Sequence, residues 1–256
     1  MKSGIKLLVF LLFLNIASSR VAYGKTELEI FNEANKFYMD ESYEKAAESY
    51  EQLISMKKVS AEIYFNLGNA YYKSGNTASA ILNYERALRL KPSDPDIQYN
   101  LKIANLNTID KIEPVPQVFY EKWWENFVNE GSVSSRALLV IVFLWLTFGL
   151  AAAYLFSGKV FIRKIMFFST LTMLLFALFT WKITHSQYKH LKDHKAAVVF
   201  AESEYVKSSP DEKSANLFML HSGTRLEVLD TLQGWKKVRI ANGNEGWITD
   251  HAIVII

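Results

Sequence analysis

The sequence contains no cysteine among its 256 residues. Thiol catalysis, disulfide scaffolding and cysteine-bound zinc or iron–sulfur clusters are therefore excluded. The sequence also lacks a Gly-x-Ser-x-Gly motif, a phosphate-binding loop and a dinucleotide fingerprint, which mark many hydrolase, nucleotide and oxidoreductase sites. We therefore predict no enzyme activity, no catalytic residue and no cofactor.

The chain also lacks a large excess of either charge, since its formal net charge is +3. Residues 25–113 hold 11 basic and 14 acidic side chains and are acidic overall. A nucleic-acid-binding domain clusters lysine and arginine on a surface that faces phosphates. No folded part of this chain is that basic, so we predict no nucleic-acid partner.

An apolar leader opens the chain. Lys2 and Lys6 precede the run Leu7–Leu14, and small residues near Gly24 follow it. These are the three regions of a secretory signal, and the run is too short to cross a bilayer comfortably. We predict a signal peptide at residues 1–24 that is cleaved after Gly24. The alternatives are an uncleaved anchor and a buried helix.

Two further apolar runs lie in the middle of the chain. Residues 137–156 carry no charge, and as a helix they would span about 30 Å, the thickness of a bilayer core. A second uncharged run ends at Trp181, and we predict a second transmembrane helix at 162–183. The connection is basic, at Lys159, Arg163 and Lys164. Short basic loops remain cytoplasmic, so both flanking regions are predicted to be periplasmic, outside an inner membrane.

A 34-residue repeat follows the leader. Residues 61–94 carry residue types typical of a tetratricopeptide repeat at its offsets, namely Tyr64, Leu67, Gly68, Tyr71, Ala80, Tyr84, Ala87 and Pro92. The same register, shifted back by 34 residues, fits residues 27–60 with two degenerate positions. A third helix at 96–107 is predicted to cap the last apolar face. We predict an all-α tetratricopeptide domain over residues 25–110, and the alternative is an unrelated helical bundle.

The first helix of each tetratricopeptide repeat lines a groove that receives a peptide or a partner helix. The candidate groove residues are Phe31, Asn35, Tyr38, Phe65, Asn69, Tyr72 and Lys73. Asn35 and Asn69 could bind a backbone amide of an extended segment; the alternative is that they serve packing and solubility. A clamp for a C-terminal carboxylate is not expected, because Phe31 and Phe65 stand where such clamps have lysine.

Residues 195–256 change to short β-rich runs. Strands are predicted at Ala197–Phe200, Arg225–Asp230, Trp235–Ile240 and Gly246–Thr249, with turns at Thr231–Gly234 and Asn242–Gly243. About 60 residues with several short strands form a small barrel. The two Gly-Trp pairs resemble those of a bacterial SH3 domain. Trp235 and Trp247 are candidates for a ligand platform, and the alternative is that they fill the barrel core.

One cluster of residues has the spacing of metal ligands. His190 and His194 lie four residues apart with Asp193 between them, and His185 precedes them. Zinc proteases of similar outline use glutamate, whose longer side chain reaches the metal-bound water, and they need a distant third ligand. The cluster follows a membrane helix, where such residues more often face lipid headgroups. We therefore predict no metal site.

The order of all these segments resembles the BatE-like proteins of the Bat (Bacteroides aerotolerance) group. Between repeats and hairpin lies a linker and juxtamembrane segment at 111–135, with Pro114, Pro116 and the pair Trp123–Trp124. The resemblance implies an inner-membrane protein that acts beside von Willebrand factor A-type Bat proteins and a MoxR-type ATPase, in stress or oxygen tolerance. The family's motifs do not reveal a biochemical activity.

The sequence thus predicts a multidomain chain with an all-α repeat domain, a two-helix transmembrane hairpin and a small all-β SH3-like barrel. We expect a non-enzymatic membrane scaffold that contacts lipid and binds periplasmic protein partners through the groove and the barrel. The alternative function is a cell-envelope sensor or a peptidoglycan-recognition module.

Overall fold

The computed structural model describes residues 25–116, 118–119, 124, 127–128, 133–193 and 195–256. The predicted signal peptide and most of the juxtamembrane segment lie outside the described residues. The described residues form a helical repeat region, two long apolar helices and an antiparallel β domain, in the order that the sequence predicts.

Five described helices make up the repeat region. They are α1 (Glu27–Met39), α2 (Tyr43–Ser55), α3 (Ala61–Lys73), α4 (Thr77–Leu90) and α5 (Pro95–Leu106). Polar side chains fix where several helices begin, because they accept hydrogen bonds from N–H groups that lack a partner inside the helix. Ser60 accepts from the Ile63 N–H at 3.1 Å, and Asp94 accepts from the Ile97 N–H at 3.3 Å.

Gly68 allows α3 to approach α4 closely. A Cβ at this position would lie 2.7 Å from the ring of Tyr84, so a larger residue would push the ring away. Tyr84 is 1% exposed and fills the space between the two helices. The remaining apolar positions of the 34-residue register are buried with it, including Ile30, Ala34, Tyr50, Leu53, Leu67 and Ala87.

The turns inside the two repeats place a left-handed residue at equivalent positions. Gly75 has a φ of 85°, and Glu41, 34 residues earlier, has a φ of 56°. Glycine adopts this conformation readily, whereas the Cβ of glutamate is crowded against the backbone. The first repeat therefore carries backbone strain that the second repeat avoids.

Two antiparallel helices follow, α6 (Val133–Phe156) and α7 (Val160–Asp193), and both are long and apolar enough to cross a membrane. They differ from the predicted spans in length. The second helix was predicted at 162–183, but α7 begins at Val160 and continues ten residues further. Only Ser157–Lys159 connects the helices, because basic residues such as Arg163 extend a helix as well as apolar ones do.

The β domain contains seven described strands. They are β1 (Lys195–Val199), β2 (Ser203–Lys207), β3 (Asn216–His221), β4 (Arg225–Leu232), β5 (Trp235–Arg239), β6 (Glu245–Thr249) and β7 (Ile253–Ile255). The sheet order is β3-β2-β6-β5-β4-β1-β7, with antiparallel neighbours throughout. The sequence predicts β1, β4, β5 and β6 but misses the other three. Much of β2 and β3 is polar or exposed, and β7 has only three residues, so neither gives a clear alternating pattern.

The hairpin turns differ from the expected geometry. The two-residue turn is Gln233–Gly234, with φ values of 41° and 86°, which suits the twist of the flanking strands. At Asn242–Gly243 only Gly243 has a positive φ, of 88°. Asn242 instead accepts a hydrogen bond from the Asn244 N–H through Oδ1 at 3.1 Å. The expected tight turn is therefore a longer loop closed by a side chain.

The barrel docks directly on the repeat domain. Val198 of β1 is fully buried in the same apolar cluster as Ile81 and Tyr84, and Phe200 and Val254 pack against that cluster. Arg86 of α4 donates to the carbonyl oxygen of Ile255 at 3.2 Å. Since β7 is an end strand of the sheet, α4 covers an edge that would otherwise be open to pairing.

Candidate functional site

A small pocket of about 200 Å³ lies between the first helices of successive repeats. Its lining residues are Tyr38, Asn69, Tyr72, Lys73, Tyr84, Asn100 and Ile103. Four of the seven predicted groove residues are among them, namely Tyr38, Asn69, Tyr72 and Lys73. We call this cavity the groove pocket.

The two predicted asparagines make equivalent hydrogen bonds within the repeats. The Tyr50 hydroxyl donates to Asn35 Oδ1 at 2.5 Å, and the Tyr84 hydroxyl donates to Asn69 Oδ1 at 2.7 Å. Both oxygens are therefore engaged inside the domain. Nδ2 of Asn69 donates to no residue in the described part of the chain, which leaves it available to a partner's carbonyl oxygen.

The predicted groove residues Phe31, Asn35 and Phe65 do not line the pocket. The ring of Phe31 lies 6.0 Å from that of Tyr50, and the ring of Phe65 lies 5.9 Å from that of Tyr84. Both phenylalanines pack against the buried clusters of the repeats. Their role in this structure is to hold the tyrosines that orient the asparagines.

Burial keeps these tyrosines in the protonated form that donates. It raises the pKa of Tyr50 to about 12, and it also raises the pKa of Tyr84. A phenol favours its neutral state when water cannot solvate the phenolate. The hydrogen bonds to Asn35 and Asn69 therefore persist across the physiological pH range.

The third helix contributes groove residues that sequence reasoning missed. Asn100 of α5 donates through Nδ2 to Asn69 Oδ1 at 2.8 Å, and Ile103 also lines the pocket. Tyr99 and Leu106 are exposed on the same helix, at 64% and 62%. The signal was the 34-residue register, which carries Asn69 to Ile103 when it is extended into α5. This helix continues the groove as well as covering the core.

Charge in the groove pocket is of one sign. Lys73 is the only charged residue among those that line it, and the rest are tyrosines, asparagines and one isoleucine. The Tyr72 hydroxyl accepts from Asn107 Nδ2 at 3.1 Å. The pocket therefore presents donors from Lys73 and Asn69 beside aromatic surface, an arrangement that suits a segment with exposed carbonyl oxygens.

Trp235 and Trp247 lie on one face of the barrel. Cross-strand pairing of Trp235 with Thr249 and of Lys237 with Trp247 makes the tryptophans diagonal neighbours on β5 and β6. Both are half-buried, and neither belongs to the buried barrel cluster, which contains Val238 and Ile248. Lys207 pairs with Trp247 from the other side. An aromatic surface with flanking lysines is therefore accessible on this face.

Asp110 links the repeat domain to the barrel. Its carboxylate accepts hydrogen bonds from the His221 N–H at 2.7 Å and from the Thr224 hydroxyl at 2.5 Å, and it lies 2.7 Å from His221 Nδ1. Burial would raise the pKa of Asp110, but these hydrogen bonds outweigh it and lower the pKa. A second link joins Arg225 and Glu85 at 2.9 Å. Sequence reasoning assigned His221 no role.

The candidate metal cluster is only partly within the described side chains. The His185 ring stacks on Trp181 with 5.7 Å between ring centres. The side chains of His190, Asp193 and His194 lie outside the described residues. Elsewhere in the described part of the chain, no group of three or more histidine, aspartate or glutamate residues is placed to hold a metal ion.

Comparison with known families agrees with these two domains. A TPR repeat model matches residues 34–75 and 68–106, and a bacterial SH3 domain model matches residues 203–253. No curated protein sequence matches this chain. The chain therefore carries tetratricopeptide repeats and a bacterial SH3 domain, two classes of module that typically bind other molecules without catalysing a reaction.

Proposed function

We propose that this chain is a non-enzymatic membrane scaffold whose groove pocket binds an extended segment of a protein partner. The observation that carries the proposal is the convergence of donors from Asn69 and Lys73 with the rings of Tyr38 and Tyr72 in one pocket. An extended segment offers carbonyl oxygens to such donors and side chains to such rings. The pocket is small, so the contacted segment is only a few residues long.

The docking of the two domains supports a single location for both. The chain leaves the repeat domain, passes through the helical hairpin and returns to a barrel that is bonded to the repeats through Asp110 and Arg225. In the proposed topology both domains lie in the periplasm on an inner membrane. The basic residues Lys159, Arg163 and Lys164 at the other end of the hairpin favour a cytoplasmic turn.

The setting that we propose for this scaffold is a Bat-type complex. Its support is the order of segments, from leader through repeats and hairpin to the bacterial SH3 domain. In that setting the groove partners are von Willebrand factor A-type Bat proteins that work with a MoxR-type ATPase in stress or oxygen tolerance.

Site-specific photocrosslinking tests the groove. We expect a photoreactive amino acid at Tyr72 to capture one discrete partner in intact cells, with the crosslink in a short segment of that partner. The same amino acid at Glu48, which is exposed on α2 away from the pocket, is the control. Failure to capture a partner at Tyr72, or equal capture at Glu48, would contradict the proposal.

The second candidate function is peptidoglycan recognition by the barrel. It is favoured by the accessible pair Trp235 and Trp247, because aromatic faces bind sugar rings and apolar peptide groups. The test is co-sedimentation of the full detergent-solubilised chain with purified peptidoglycan. This function requires that Trp247→Ala weaken sedimentation while Trp181→Ala, in the hairpin, does not.

A further inference from the structure

We propose that the cleft between the repeat domain and the barrel binds a free apolar α-amino acid. The cleft has a volume of about 390 Å³ and is enclosed by α2, α3 and α4 on one side and by the barrel residues Phe200 and Val254 on the other. None of its lining residues lines the groove pocket. It is therefore a separate site, and this inference does not depend on the proposed partner binding.

The walls of the cleft suit one large apolar side chain. Five apolar residues line it, namely Ile54, Leu67, Leu82, Phe200 and Val254. Its volume lies within the range of about 300–1,000 Å³ that is usual for small-molecule sites, and such sites are frequent at domain interfaces. The apolar wall accounts for a branched or aromatic side chain but not for the charged groups beside it.

Glu51 provides a carboxylate that lacks a counter-charge. It accepts a hydrogen bond from the Tyr71 hydroxyl, and both residues line the cleft. Within the described ranges no lysine, arginine or histidine forms an ion pair with it. A ligand ammonium group would supply that charge.

Asn83 provides an acceptor that lacks a donor. This residue lines the cleft and is only 3% exposed. Its Nδ2 donates to the carbonyl oxygen of Ser79 at 2.8 Å, whereas Oδ1 has no partner among the described residues. A buried acceptor without a donor is unfavourable and calls for an explanation. Because an ammonium group has three N–H donors, one such group can serve both Asn83 and Glu51.

Arg86 provides the complementary cation. Its guanidinium donates to the Ile255 carbonyl oxygen at 3.2 Å and lies 5.9 Å from the centre of the Tyr64 ring. No carboxylate in the described part of the chain forms an ion pair with it, and burial lowers the pKa of Arg86. A ligand carboxylate would form a charge-assisted hydrogen bond here.

These features together select a zwitterion over a peptide. The α-ammonium group of a free amino acid answers Glu51 and Asn83, its α-carboxylate answers Arg86, and its side chain fills the apolar wall. A residue inside a peptide carries neither charge on its backbone. A ligand in the cleft would also hold the barrel on the repeats, because both domains contribute to the site.

Isothermal titration calorimetry on the full chain in detergent tests the proposal with defined probes. L-leucine is expected to bind, whereas N-acetyl-L-leucine, L-leucinamide and glycine each lose one recognised group and bind at least about tenfold more weakly. Absence of binding by L-leucine at about 10 mM would overturn the proposal. Equal binding by N-acetyl-L-leucinamide would also overturn it, since the cleft would then be a peptide site.

A matched pair of variants identifies the cleft. Glu51→Gln keeps an acceptor for Tyr71 but removes the charge, so it should weaken L-leucine about tenfold and leave N-acetyl-L-leucine unchanged. Glu48→Gln changes an exposed residue outside the cleft and should leave both unchanged. Equal affinity for L-leucine in Glu51→Gln and in the wild type would contradict the assignment, whatever the outcome of crosslinking at the groove pocket.

Discussion

Replacing Asp110 by asparagine should loosen the barrel from the repeat domain. The Asp110 side chain is 13% exposed and its carboxylate oxygens receive hydrogen bonds from His221 and Thr224. A hydrogen bond to a charged group contributes about 1.5–3 kcal/mol. The substituted amide would keep one acceptor, and partial exposure weakens the remainder, so we expect Asp110→Asn to cost about 2 kcal/mol of docking free energy.

Amide hydrogen exchange measures this loss at the contact itself. The His221 N–H donates to Asp110 Oδ2 at 2.7 Å, so its exchange reports on opening of the interface. A loss of about 2 kcal/mol corresponds to exchange that is about thirtyfold faster. Asp40→Asn is the control, because Asp40 is exposed at the end of α1. Less than threefold acceleration, or equal acceleration in the control, would refute the reasoning (threefold is about 0.6 kcal/mol).

The same contact predicts a pH dependence. The pKa of Asp110 is lowered from its ordinary value of 3.8. Its contribution is therefore complete above pH 3.8 and is lost as the pH falls through the lower pKa of the docked state. Asp110→Asn should remove this acid-induced acceleration of exchange at His221.

Three further substitutions test the repeats by circular dichroism during thermal unfolding. Gly68→Ala should destabilise them by about 1–3 kcal/mol, because its Cβ would meet the Tyr84 ring; unchanged stability would show that the ring moves freely. Tyr84→Phe removes the donor to Asn69 and should cost about 1 kcal/mol, and no loss would mean that the bond is neutral. Glu41→Gly relieves a positive φ and should raise stability by about 1 kcal/mol; a decrease would contradict the strain argument.

The repeat domain was readable from sequence because its information is local and periodic. Gly68 and Tyr84 lie within one repeat, and the hydrogen bond from Tyr84 to Asn69 recurs 34 residues earlier from Tyr50 to Asn35. The helical content, the apolar hairpin and the barrel class follow from composition and spacing in the same way. The groove pocket was only partly predictable, since the register was not extended to Ile103.

The contact between the domains could not be predicted from periodicity. Asp110 lies 111 residues from His221 and 114 residues from Thr224, and nothing in the spacing of these residues indicates that they meet. The cleft beside α4 arises only when two separately folded surfaces come together. Such surfaces depend on shape and on single polar pairs, which leave no pattern in the sequence.

The central claim, that the groove pocket binds a protein partner, is tested most directly by the affinity for a peptide that spans the crosslinked segment. Isothermal titration calorimetry on the full chain should show binding that Lys73→Met weakens by about tenfold. Lys102→Met, an exposed lysine of α5 outside the pocket, should bind as the wild type does. Equal affinity in all three proteins, or loss of binding only in Trp247→Ala, would contradict the claim and assign recognition to another surface.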